Sequence, residues 1–132
     1  MSNLRARDAL VRAQRIFLEK PAAARKAGAS ATAVWRNGLF CEVTGPASEK
    51  AMTDLPEPMG GKGSGPSPGW LLRAGMASCA ATTIAMRAAM LGIELRQLEV
   101  SVKSESDGAR SCRHSQCAYR IWRHAHVNQD RR

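Results

Sequence analysis

The chain has 132 residues, of which 44% are hydrophobic and 23% charged, so its composition suits one globular domain and excludes a disordered chain. Its formal net charge of +9 favours acidic partners, but no stretch approaches the roughly 18 apolar residues that a membrane-spanning helix needs. Because the N-terminus lacks the apolar block of a secretory signal, we expect a cytoplasmic protein without a membrane partner, whose four cysteines form no structural disulfide framework.

The first 30 residues are predicted to form a helix and a connector. Apolar residues recur at helical spacing over residues 3–19, and Pro21 ends this pattern. The small residues from Ala22 to Ser30 follow as a connector. We therefore treat residues 1–30 as a segment that precedes the main domain.

Two strands, 31–35 and 39–44, are predicted to form a hairpin. The sequence Asn37-Gly38 lies between two apolar runs, which is typical of a tight turn. A third short strand is predicted over residues 50–53. These strands predict a small antiparallel sheet.

A loop rich in glycine and proline is predicted over residues 56–69. Its sequence Gly61-Lys62-Gly63-Ser64 resembles part of a phosphate-binding loop. That pattern requires Ser or Thr directly after the lysine. Gly63 occupies that position, so we do not expect a bound nucleotide.

A long helix is predicted from Pro68 to about residue 91, with Ser67 as its N-cap and Gly92 as its C-terminal stop. Many of its residues are small, so it can pack closely against another backbone. One face carries residues at alternating spacings of four and three, namely Leu72, Met76, Cys79, Thr83, Met86 and Met90. We predict that this face makes core or dimer contacts.

The chain ends in a strand and a basic tail. Alternating apolar and polar residues predict a strand over residues 94–105. Residues 108–132 contain six arginines and one acidic residue, and show no clear periodicity. Their Cys112, Cys117 and three histidines are of metal-ligand types, but the spacing lacks the usual pairing, so no metal site is predicted.

The segment GGKGSGPSPGWLLRAGMASCAATTIAMRAAMLGIELRQLEVSV, residues 60–102, resembles the signature region of the OsmC/Ohr family. In that signature a Gly-rich loop precedes a proline that opens the central helix, and small residues then lead to a cysteine. The upstream segments TAVWRNGLFCEVTGP and MTDLPEPMGG resemble the family's opening hairpin and third strand. The resemblance covers residues 31–107, which we treat as the domain core.

The resemblance implies an α+β fold in which an antiparallel sheet packs on a long Cys-bearing helix, and an intertwined homodimer. It also implies reduction of organic hydroperoxides in oxidative-stress defence, without a cofactor or a metal. A peroxidatic thiolate attacks the O–O bond and becomes a sulfenic acid. A second cysteine then forms a disulfide, which a dithiol reductant opens.

The family's functional residues are matched only in part. Cys79 occupies the position of the peroxidatic cysteine, and Arg36 loosely matches the activating arginine of the hairpin. Gly69 stands where many members carry an acidic residue. The family's resolving cysteine belongs to a later helix that this chain lacks, so Cys112 or Cys117 in the tail is the candidate.

Two alternative interpretations stay open. Cys79 is a small packing residue in the first, where the chain is a catalytically inactive OsmC-like structural or binding domain. In the second, the basic tail binds nucleic acid or zinc, although we do not expect nucleic acid to be the main partner. The change of composition after Asp107 is the pattern that a truncated or frame-shifted end would produce.

Overall fold

The structure, a computed structural model, describes residues 4–106 and 120–124. It has the predicted α+β fold, with antiparallel sheets and one long helix. In chain order they are α1 (Leu4–Glu19), α2 (Pro21–Ala24), β1 (Thr32–Asn37), β2 (Phe40–Thr44), β3 (Lys50–Thr53), a 3₁₀ turn (Glu57–Met59), α3 (Pro68–Met90), β4 (Ser101–Glu105) and β5 (Arg120–His124).

The first three strands form an antiparallel sheet in the order β1-β2-β3. Glu42 in the central strand lies opposite Val34 of β1 and Met52 of β3. At the hairpin turn Gly38 adopts a φ of 53°, which a residue with a side chain rarely adopts. The predicted Asn-Gly turn is therefore confirmed, and its physical reason is the conformational freedom of this glycine.

The ladder between β1 and β2 is irregular next to the turn. Trp35 pairs with Cys41, but the next pair joins Asn37 to Phe40, so the register shifts across Arg36. Such a bulge leaves one residue without a ladder partner and redirects its side chain. The sequence pattern did not indicate this irregularity.

The chain divides into two compact units. One unit is Ile16–Leu72, which holds the three-stranded sheet and the Gly-rich loop. The other unit contains the described residues before Ile16 and from Arg73 onward, including most of α3. Within this second unit, Arg73 of α3 donates a hydrogen bond of 2.7 Å to Ser104 of β4.

The second sheet differs from the sequence prediction at both of its strands. Strand β4 begins at Ser101 instead of residue 94, because regular pairing starts only there, opposite His124. Strand β5, Arg120–His124, lies in the tail, for which no element was predicted. Strand formation here depends on pairing with β4, which a search for local periodicity does not detect.

Burial of apolar side chains is slight in the described residues. Within residues 4–106, Ala88 and Ala89 of α3 are the only apolar residues that are buried. Helix α1 buries none of its residues, and Leu18 is 75% exposed. No helix in the described part of the chain is long and apolar enough to cross a membrane.

Candidate functional site

The candidate nucleophile Cys79 is a free, exposed cysteine in the middle of α3. The helix begins as predicted: Pro68 is its first residue, and the Ser67 hydroxyl accepts a hydrogen bond of 3.2 Å from the Trp70 amide. One turn after Cys79, the Thr83 hydroxyl donates to the Cys79 carbonyl at 2.8 Å. This bond engages the backbone carbonyl of Cys79 and not its side chain.

An exposed stripe runs along α3 through Cys79. Its members recur at alternating spacings of three and four residues, namely Leu72, Gly75, Cys79, Thr82 and Met86. We call this set the α3 stripe. Of the face predicted from sequence, Met76 and Met90 are instead half-buried, so the exposed surface is rotated slightly about the helix axis.

The side chains nearest Cys79 on the α3 stripe carry no charge. The stripe consists of two apolar residues, a glycine and a threonine around the thiol. A thiolate needs a positive neighbour to become abundant at neutral pH, and the helix dipole acts mainly in the first turn. The cation that would activate Cys79 must therefore come from outside this stripe.

Arg36 is the cation that the sequence analysis predicted would activate Cys79. Its Nε donates to Oε2 of Glu42 at 2.7 Å, and a terminal guanidinium nitrogen lies 2.7 Å from the same oxygen. Both side chains are about half exposed, at 54% and 45%. Arg36 belongs to the Ile16–Leu72 unit and Cys79 to the other unit.

The other three cysteines differ from Cys79 in what the structure describes of their surroundings. Cys41 is half-buried in β2, between Trp35 of β1 and Thr53 of β3. Both candidate resolving cysteines, Cys112 and Cys117, lie outside the described residues. So do the tail histidines, apart from His124 of β5. Within residues 4–106 and 120–124, no group of three metal-ligating side chains is arranged around a common point.

The Gly-rich loop is organised by Asp54, a residue that the sequence analysis did not single out. This carboxylate is only 2% exposed. Its Oδ1 accepts from the Leu55 amide at 2.8 Å, and its Oδ2 accepts from the amides of Lys62 and Ser64 at 3.1 and 3.2 Å. The Ser64 hydroxyl adds a bond of 2.6 Å to Oδ2.

These bonds explain why the loop resembles a phosphate-binding loop. Its backbone N–H groups do surround an anion, but the anion is the carboxylate of Asp54. The four donors hold the pKa of Asp54 at about 2, below its ordinary value of 3.8, with the Ser64 hydroxyl as the largest cause. An aspartate that directly follows a strand and precedes a Gly-rich loop is the sequence signal that would have indicated this arrangement.

Gly61 shows how tightly the loop is folded. A side chain at this position would collide with the backbone carbonyl of Leu55, which cannot move independently of the loop. Next to this contact, the Gly63 amide donates to the Leu55 carbonyl at 3.0 Å. A glycine is therefore required at residue 61 by close packing of backbone on backbone.

A family model described as OsmC-like protein matches residues 61–130 of the chain, which is more than half of its length. The chain belongs to the OsmC-like protein family. The matched range differs at both ends from the sequence resemblance over residues 31–107, and it includes most of the tail. No curated protein matches the sequence.

Two solved structures support the OsmC-like fold. A protein of Psychrobacter arcticus 273-4, assigned to the osmotic stress and detoxification response, superposes with a TM-score of 0.55 at 20% identity. An organic hydroperoxide resistance protein OsmC of Legionella pneumophila superposes with a TM-score of 0.54 at 19% identity. Each superposition covers 74% of this chain and 66% of the other protein. At these identities the likeness concerns the fold alone.

The OsmC-like hairpin and the Gly-rich loop also border an open cavity of about 400 Å³. Leu39, Phe40 and Met52 contribute apolar walls, and Lys62 adds a basic side chain to the lining. This volume lies in the range of pockets that bind small organic molecules.

Proposed function

We propose that this OsmC-like protein reduces organic hydroperoxides, with Cys79 as the peroxidatic nucleophile. The observation that carries the proposal is the exposed thiol of Cys79, which lies within the segment that matches the family. A buried cysteine would have favoured a packing role, because buried thiols are inert. We further propose the cytoplasm as its location, since dithiol reductants act in that reducing compartment.

The proposed reaction starts with attack of the Cys79 thiolate on the terminal oxygen of the hydroperoxide. An S–O bond forms while the O–O bond breaks, so the sulfur becomes a sulfenic acid and the organic group leaves as an alkoxide that takes up a proton. The thiol of Cys112 or Cys117 then displaces water from the sulfenic acid and forms a disulfide. A dithiol reductant returns both cysteines to thiols.

Arg36 is proposed as the activating cation. A guanidinium keeps its charge at all relevant pH values, so it favours a neighbouring thiolate and also the developing alkoxide. The bulge at Arg36 supports this role, because bulges are frequent beside active sites, where they redirect a side chain. The thiolate that it serves belongs to the same chain or to a second copy.

Mass spectrometry after treatment with cumene hydroperoxide tests the proposed function. We expect the Cys79 peptide to gain one oxygen atom or to be linked to the peptide of Cys112 or Cys117. The C79S variant should show neither product, while Cys41 stays reduced in both proteins. Wild-type protein that remains folded with an unmodified Cys79 would instead favour the inactive OsmC-like domain.

A homodimer is proposed because residues 4–106 bury few apolar side chains and leave several large ones exposed. Large apolar side chains such as Trp70, Leu72 and Met86 are 52%, 48% and 43% exposed. We place the dimer contacts at Leu72 and Met86, on either side of Cys79 along α3, so that the Cys79 thiol itself stays open to the substrate. Added atoms at Gly75 would meet nothing within 4 Å, so a second backbone has room to approach there.

Charged substitutions in the α3 stripe test the dimer. The L72E/M86E variant is expected to be monomeric in sedimentation velocity and to melt at a lower temperature, because its charges would be buried without partners. The A85E variant is the matched control, since Ala85 is an exposed α3 residue outside the stripe. A dimer that persists in L72E/M86E but not in A85E would contradict this interface.

A further inference from the structure

We propose that helix α1 docks on the surface of an anionic lipid bilayer. This inference concerns a part of the chain that the peroxide chemistry does not use, so it stands or falls independently of the proposed function. No membrane partner was expected from the sequence, because the chain lacks an apolar stretch long enough to span a bilayer. A helix that lies flat in the headgroup region needs only one apolar side.

One side of α1 carries exposed apolar side chains. Leu4, Val11 and Leu18 recur every seven residues, so they lie in line along the helix, and we call them the α1 stripe. They are 59%, 48% and 75% exposed. The half-buried residues of the helix, Leu10 and Ala13, lie on a different side. The α1 stripe is therefore an apolar surface that the described part of the chain leaves uncovered.

Positive charge surrounds this surface. Residues 4–30 contain seven lysines and arginines against two acidic residues, a net charge of +5, and all nine of these side chains are exposed. Within the described part of the chain, Arg5, Arg7 and Arg12 form no hydrogen bond or ion pair. Asp8 and Glu19, the two acidic residues, lie beside Arg12 on the polar side of the helix. The segment thus presents an excess of positive charge next to the α1 stripe.

An anionic bilayer matches both properties of α1 at once. The side chains of the α1 stripe enter the boundary between headgroups and acyl chains, while arginines beside it reach lipid phosphates through their long flexible stems. Arg7 is well placed for this contact, because it lies between Leu4 and Val11 on the same side of the helix. Three further basic residues within positions 20–26 add attraction to the same surface.

A second copy of the chain and a nucleic acid each match only one of these properties. Two α1 stripes packed together would bring Arg7 and the net positive charge of both segments against each other, and like charges that face each other across an interface weaken it. A nucleic acid would bind the arginines but leave the α1 stripe in water. Lipid is the occupant that both covers the apolar side chains and neutralises the charge.

Co-sedimentation of the full chain with lipid vesicles tests the inference. Wild-type protein should sediment with vesicles of phosphatidylglycerol and phosphatidylcholine in equal parts, should not sediment with phosphatidylcholine alone, and should dissociate at high salt. The V11Q/L18Q variant should bind roughly tenfold more weakly because apolar burial is lost. The R7Q/R12Q variant should lose a factor of roughly ten because charge is lost. Glutamine is a good helix former, so these variants should keep α1 helical.

The matched control is I16Q, because Ile16 is as exposed as Val11, at 48%, but lies on another side of α1. It should bind like wild type, and circular dichroism should show the same helix content in every variant. Wild-type affinity in V11Q/L18Q would overturn the inference and assign vesicle binding to charge alone, in α1 or in the basic tail. Wild-type protein that ignores anionic vesicles, or that binds both kinds equally, also overturns it. Binding of single-stranded DNA that R7Q/R12Q weakens, without vesicle binding, would identify a nucleic acid as the partner instead.

Discussion

Replacing Cys79 by serine is expected to abolish hydroperoxide reduction. A serine hydroxyl is not ionised at neutral pH and is a far weaker nucleophile than a thiolate, so the rate should fall at least roughly 1,000-fold, to that of the reductant alone. The measurement is consumption of cumene hydroperoxide in the presence of dithiothreitol, with enzyme and peroxide varied. Because Cys79 is exposed, the variant should fold and melt like wild type.

Cys41→Ser is the matched control for this experiment. Cys41 is half-buried in β2, so its replacement should lower stability modestly while the rate stays close to wild type. If C41S loses activity and C79S keeps it, the nucleophile has been assigned to the wrong cysteine. If neither variant differs from wild type, the peroxide is consumed by a thiol in the tail.

Replacing Asp54 by alanine is expected to have the largest effect on stability. The amides of Leu55, Lys62 and Ser64 and the Ser64 hydroxyl would lose their common acceptor in a site that water scarcely reaches. Donors left unsatisfied in this way are costly, so we expect the melting temperature to fall by roughly 10 °C or more. Thermal unfolding followed by circular dichroism measures the change.

Glu57→Gln provides the control, since Glu57 is an exposed carboxylate in the same loop. It should melt like wild type. The S64A variant removes only the hydroxyl bond and should lie between the two. Equal melting temperatures for D54A and E57Q would mean that the Gly-rich loop keeps its shape without the central carboxylate.

The same carboxylate predicts how stability responds to acid. The folded-state pKa of Asp54, about 2, is below the ordinary value of 3.8, so the folded protein binds this proton less readily than the unfolded chain does. The resulting stabilisation is fully present above about pH 4 and is lost as the pH falls towards 2. Melting temperatures across this window should fall less steeply in D54N than in wild type.

Local patterns in the sequence were sufficient for most elements up to the end of α3. Asn37-Gly38 marked the hairpin, and Pro68 and Gly92 marked the limits of the long helix to within about two residues. Each of these signals acts through the dihedral preference of one residue or its near neighbours. The family resemblance, carried by the loop and the Cys79 helix, was also present in local sequence.

Contacts between distant residues were decided only in the tertiary structure. Asp54 receives its bonds from residues eight and ten positions later, and Arg36 meets Glu42 across the hairpin through a bulge. Strand β5 exists because β4 supplies its backbone partner. Sequence periodicity does not predict these contacts, because each one joins residues that only the folded chain brings close together.

The sequence by itself indicated the family through its resemblance to the OsmC/Ohr signature, and that resemblance implied the α+β class and the cysteine to examine. Tertiary structure decided that Cys79 is exposed, that the α3 stripe includes Gly75 and Thr82, and that the anion inside the Gly-rich loop is Asp54. The physical reason is that the exposure of a side chain and its hydrogen bonds depend on which distant residues come to lie beside it. A local sequence pattern describes the side chain but not those neighbours.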